Sequence, residues 1–151
     1  MIEERINELG YNVPEAPKPL AAYVPAVLED KMVFTAGQLP IAEGKLLMSG
    51  KVGKDVSLEE AARGAEICAI NCLSAVKSVI GNLDNIKRIV KVTVFVNSAE
   101  GFFDQPKVAN GASEFFVKVF GDKGKHARSA VGVSGLPLNA PVEIELVAQT
   151  E

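Results

Sequence analysis

Hydrophobic positions fall into two rhythms along this chain, and the places where one gives way to the other mark its elements. Between Ser57 and Ile80 the residues Leu58, Ala61, Ala65, Cys68, Cys72, Ala75 and Val79 recur at helical spacing, one apolar stripe on a single face. Ser57 with Glu60 three residues on makes a capping box that starts this helix, and Gly81 closes it. Pro106 to Phe120 keeps the same period through Val108, Ala112, Phe115, Phe116 and Val119, with Gly121 as its stop. Shorter β-branched or alternating runs predict strands: Met32 to Ala36, ended by Gly37-Gln38-Leu39-Pro40, then Ile89 to Val96, Ser129 to Val133 and Val142 to Ala148. A brief strand from Lys45 to Met48 would follow a hairpin turn at Gly44. Near the start, Ile2, Ile6 and Leu9 outline a short helix stopped at Gly10, and Pro14, Pro17 and Pro19 then break regular structure.

The order of strands, long helix, strand, helix and two strands predicts an α+β sandwich in which two helices pack on one face of a mixed sheet. Residues 1 to 20 read as an N-terminal arm laid over a domain of residues 21 to 151. The sheet's second face must then meet solvent or other subunits. Phe34, Val94 and Val96 belong to strands that are apolar on both faces or nearly so, which points to a cyclic homo-oligomer with sheets facing one another.

Composition narrows the function classes. With 151 residues, 48% hydrophobic and 23% charged, the chain is sized for one domain with a buried core. A net charge of −3, with lysine and arginine scattered, gives no footprint for nucleic-acid phosphates, so no nucleic-acid partner is expected. Its apolar runs fall short of the roughly 18 to 20 residues that cross a bilayer, and the Met1-Ile2-Glu3-Glu4-Arg5 start has no secretory pattern, so the expected setting is cytoplasmic, without a membrane. Cys68 and Cys72, four apart in a helical pattern, read as small apolar side chains. One histidine and no Cys-x-x-Cys pair give no zinc ligand set, and no metal or cofactor is expected.

The residues able to carry chemistry concentrate in the last third. Arg128 opens a strand among Ala127, Ser129 and Ala130, small neighbours that leave room around a guanidinium whose planar fork suits a carboxylate. The competing reading is a surface arginine paired with Glu143 or Glu145. Those two glutamates lie two apart on a strand, both opposite the aliphatic row of Val142, Ile144, Leu146 and Ala148. One could direct a water; a solvent-facing pair on an edge strand is the plainer alternative. Tyr23, beyond the proline-rich arm, could line a pocket or pack in the core. Asn110, ahead of Glu114, could cap, bridge subunits or touch ligand. His126 has no serine or cysteine in a recognisable nucleophile context beside it.

Together these segments resemble the Rid (YjgF, reactive intermediate deaminase) family. The resemblance runs from about Tyr23 to Ala148 and rests on Tyr23, Phe34-Thr35-Ala36-Gly37-Gln38-Leu39-Pro40, Val92-Thr93-Val94-Phe95-Val96, Asn110 with Glu114, and Ala127-Arg128-Ser129 leading to Leu136-Pro137 and Val142-Glu143-Ile144-Glu145. It implies a chorismate-mutase-like fold and a homotrimer whose sheets form a central barrel, with ligand sites between subunits. It also implies cofactor-free hydrolysis of enamines and imines to 2-keto acids and ammonia. Carried over, Arg128 would hold the substrate carboxylate and Glu143 would direct the attacking water. Backbone amides at Gly37 and Ala130 would lie close by, Tyr23 would line the cleft from the neighbouring subunit, and Asn110 would sit at the interface. Ala130 stands where the family carries a cysteine, so thiol chemistry there is ruled out. The arm is longer than in compact members, and the Gly121 to His126 loop is one residue longer. A non-catalytic binder of small carboxylates is the second expectation, and an endoribonuclease, disfavoured by the acidic balance, the third.

Overall fold

Both long apolar stripes are buried against the same face of a five-stranded sheet. The structure, a computed structural model, describes residues 1–18 and 22–151, so Pro19 and the expected boundary between residues 20 and 21 lie outside the described residues. Its elements are α1 (Ile2–Glu8), β1 (Ala26–Glu29), β2 (Met32–Thr35), β3 (Ile41–Ala42), β4 (Lys45–Leu46), α2 (Leu58–Ile80), β5 (Ile86–Asn97), α3 (Gln105–Phe120), β6 (Ala127–Val133) and β7 (Val142–Thr150). The sheet order is β1-β2-β7-β5-β6, with β3 and β4 forming a separate small hairpin.

Only β5 and β6 run parallel, and α3 is the crossover that joins them; the other pairings are antiparallel. This geometry makes the sheet mixed, as the element order required. Helix α2 covers the β1, β2 and β7 side while α3 covers β5 and β6. The helix-facing row of β7, Val142, Ile144, Leu146 and Ala148, is fully buried with Val92, Val94 and Val96 of β5 and with Phe115 and Phe116 of α3. Val94 and Val96 therefore belong to the helix face alone. The opposite face is where Val27, Phe34 and Val131 stand 49%, 47% and 44% exposed.

The two helices meet closely because α3 carries Gly111, where an added Cβ would run into the backbone carbonyl of Ala62 on α2. Ser57 caps α2 as expected, its hydroxyl accepting from the Glu60 N–H at 3.1 Å. The Glu43-Gly44 turn between β3 and β4 has φ of 53° and 77°, the left-handed pair that a tight hairpin turn demands. Three extensions depart from the sequence reading: β5 begins at Ile86 and ends at Asn97, β6 begins at Ala127, and β7 runs on to Thr150. Two strands were not anticipated, β1 and the two-residue β3 that pairs with β4. β1 pairs with β2 through a turn in which Asp30 takes a φ of 52°.

The first residues are tied to the body at several points. Ile6 is fully buried, Arg5 donates from Nη1 to the Val119 carbonyl at 3.0 Å, and Glu3 pairs with Lys77 at 2.6 Å. Farther along, Ser74 of α2 donates its hydroxyl to the Pro14 carbonyl at 2.6 Å, and Tyr11 meets Phe115 edge to face.

Candidate functional site

Two clusters of candidate residues form, and they lie on opposite faces of the sheet. The register fixes this: Arg128 of β6 stands beside Val92, which points to the helices, whereas Glu143 of β7 stands beside Phe95, three residues along β5 and on the other face. The expected alternative of an ion pair between Arg128 and Glu143 or Glu145 is thereby excluded within one chain. The edge-strand reading of the two glutamates also fails, because β7 is flanked by β2 and β5.

Glu143 is held close to Gly37. Beyond β2 the chain bends at Ala36 and Gly37 and returns to the sheet at Gln38, which exchanges backbone hydrogen bonds with Ile144 at 2.7 and 3.0 Å. This bend lays Gly37 under the carboxylate: an added Cβ would stand 2.8 Å from both Cδ and Oε1 of Glu143. Burial, and secondarily the charge of Glu145, raises the Glu143 carboxyl above the ordinary glutamate range. It is therefore a stronger base than a solvated glutamate.

Arg128 is gripped from α3. Its Nη1 donates to Asn110 Oδ1 at 2.9 Å and to Ser113 Oγ at 3.1 Å, the two acceptors standing one turn apart on that helix. Ser113 Oγ lies 2.9 Å from His126 Nε2, and His126 Nδ1 lies 2.6 Å from the Gly124 carbonyl oxygen. A carbonyl can only accept, so Nδ1 carries the proton and Nε2 accepts from the Ser113 hydroxyl. Burial chiefly, and then the nearby Arg128 charge, lower the imidazole's pKa, while the Gly124 bond works the other way. The ring is neutral near pH 7. None of the ion pairs formed among the described residues involves Arg128.

Tyr23 and Gly37 share a cleft of about 420 Å³ with Pro14, Pro17, Asn71 and Ser74. Neither Arg128 nor Glu143 lines it. The structure thus brings Gly37 to Glu143 and Asn110 to Arg128, sets Tyr23 at a neighbouring cleft, and leaves Ala130 against the core on the same face as Arg128. Ser113 and His126 join the arginine cluster without having been singled out together from sequence. The readable signal was the three-residue step from Asn110 to Ser113, which puts both on one helical face. The two cysteines play no part here: both are buried and free, and burial drives the Cys72 thiol up to about 12, with the Thr35 hydroxyl acting against the rise and Glu145 adding to it. Among the described residues no histidine, cysteine, aspartate and glutamate group of metal-binding size occurs, and no helix is long and apolar enough to cross a membrane.

Residues 3–150 match a family model described as "YjgF/chorismate_mutase-like, putative endoribonuclease". The chain belongs to the Rid (YjgF) family. Among curated family relatives, Protein TCP17 of Trypanosoma cruzi is 38% identical over 98% of this chain and 93% of its own length. The 2-iminobutanoate/2-iminopropanoate deaminase of Dermatophagoides farinae is 30% identical over 93% of this chain and 94% of its own. Among solved structures, the Agrobacterium tumefaciens protein Atu1372, of unknown function, superposes with a TM-score of 0.94 at 42% identity, covering 99% of this chain and 92% of that one. The α+β architecture with a YjgF/chorismate-mutase-like fold is therefore the Rid fold, and the family likeness takes in nearly all of the residues before Tyr23 as well.

Proposed function

We propose that this Rid protein is an enamine/imine deaminase, hydrolysing imines of 2-keto acids to the keto acid and ammonia. The observation that carries the reading is the arginine whose Nη1 is consumed by Asn110 and Ser113 while its Nε and Nη2 edge has no protein partner among the described residues. Those two N–H groups are parallel donors, spaced for the two oxygens of a carboxylate. A relative named for imine deamination supports the same chemistry.

The site would be completed by a second copy of the chain, in a homotrimer where the β6 edge of one copy lies against the outer sheet face of the next. Arg128 with the Ala130 backbone would come from one copy, and Glu143, Gly37 and Tyr23 from its neighbour. Glu143 would hold a water against the imine carbon and take its proton as the C–O bond forms. That proton would pass to the amino nitrogen, and collapse of the carbinolamine would release ammonia and leave the keto acid. The carboxylate's raised pKa suits it to accept and return a proton. Imines already hydrolyse in water, so orientation and charge placement suffice.

The test generates 2-aminoacrylate or its four-carbon analogue with a serine or threonine dehydratase and follows keto-acid release. The purified protein should accelerate it, Arg128→Ala should lose about a hundredfold in kcat/KM, as a bidentate charged contact warrants, and Glu143→Gln should lose turnover. Activity should fall on the acid side through a pKa above the ordinary glutamate value, since the working form is the carboxylate. Binding of 2-oxobutyrate that disappears in Arg128→Ala, with no turnover in the intact protein, would instead assign a carboxylate-binding role, which Ala130 in the cysteine position also favours.

A further inference from the structure

The arginine that this reading makes the carboxylate clamp does not hold its own orientation. An arginine side chain has four rotatable bonds, and a guanidinium at a strand end is free to swing unless something fixes it. Here a chain of hydrogen bonds does so: the Gly124 carbonyl fixes the His126 tautomer, His126 Nε2 accepts from the Ser113 hydroxyl, and the Ser113 lone pairs are thereby turned toward Arg128 Nη1.

We propose that Ser113 and His126 are positioning residues that aim Arg128, holding Nη1 so that the Nε and Nη2 edge faces the ligand. The inference rests on the clamp reading of Arg128. Each member has its polar groups assigned. The Ser113 hydroxyl has one hydrogen, which it donates to Nε2, so its lone pairs are free for the guanidinium. Asn110 Oδ1 receives the other Nη1 hydrogen at 2.9 Å, so the two acceptors on α3 pin one nitrogen from two directions. The imidazole is itself immobilised, with Phe116 meeting it edge to face at 5.8 Å. Bonded this way, Ser113 is an acceptor for a cation, and it stands on the Nη1 side of the guanidinium, away from the edge that would bind substrate.

The experiment is a pair of mutant cycles, Ser113→Ala and His126→Asn, each made alone and combined with Arg128→Ala. Imine hydrolysis is followed by the coupled assay, and 2-oxobutyrate binding by calorimetry. Loss of one bond to a charged group corresponds to about a tenfold effect. Ser113→Ala and His126→Asn should each raise KM and the 2-oxobutyrate dissociation constant about tenfold, with kcat within about twofold of the parent. Ser113→Thr should restore binding, and neither change should lower the residual kcat/KM further once Arg128 is alanine. Thermal unfolding of every variant separates a folding defect from a positioning one, and His126→Asn serves if Ser113→Ala does not fold. Unchanged binding in both variants while Arg128→Ala loses it would overturn the inference and leave the clamp standing. Equal losses with and without Arg128, or a collapse of kcat rather than a rise in KM, would overturn it as well. Unaltered binding in Arg128→Ala would sink the clamp reading, and this inference with it.

Discussion

At the scale of single residues, Gly37 shows how closely the chain is fitted around one carboxylate. Its place under Glu143 leaves no room for a methyl group, yet the atoms in the way are the far end of a flexible side chain. Gly37→Ala should therefore leave the fold intact, with Tm within about 2 °C, on the order of half a kcal/mol. Turnover should drop at least tenfold because the carboxylate is pushed aside; full activity in this variant would show that Glu143 does not work from its present position. From sequence, Arg128 and Glu143 were candidates with a plainer surface reading beside each, and it was the resemblance to the Rid family that singled them out. Ser113 and His126 were not legible as a pair, since the contact between them is made only when the α3 crossover brings residue 113 beside residue 126. A lone histidine with no neighbouring nucleophile in sequence gave no hint of that.

Helices and strands obey longer rules, and the longest were the easiest to read. The α2 stripe and its Ser57 cap appear in the structure almost residue for residue, because 23 residues of consistent periodicity leave no competing assignment. β1 escaped notice for the opposite reason: it is four residues long, three of them exposed, so no alternation of buried and exposed positions marks it. The close crossing of α2 and α3 is likewise invisible in the pattern, since it depends on Gly111 meeting the Ala62 backbone rather than on any apolar period. Here the obstruction is main chain, which cannot step aside. Gly111→Ala should destabilise the protein by about 3 kcal/mol, at the upper end of overpacking costs, measured by denaturant unfolding. Because Gly111 sits between Asn110 and Ser113, ligand affinity should fall as well. A variant as stable as the parent would mean that the helices can separate freely at this crossing.

For the whole molecule, the decisive fact is that the guanidinium and the carboxylate lie on opposite faces of one sheet. The sequence suggested an apolar second face through Phe34, Val94 and Val96, of which only Phe34 stands there, and it did not show the division of the site, because face assignment depends on how the β5 register aligns β6 and β7. If a neighbour supplies the missing half, two inactive proteins should repair each other. Arg128→Ala and Glu143→Gln subunits, refolded together in equal amounts, should recover about a quarter of parental activity, the chance that a junction receives an intact arginine from one side and an intact glutamate from the other. No recovery despite mixed assembly would confine the chemistry to single chains. The same division reaches into inheritance and dosage. A subunit damaged in both halves would silence the junction on each side of it, so a double lesion would behave as dominant over a normal copy, whereas either single lesion would leave one of its two junctions in service.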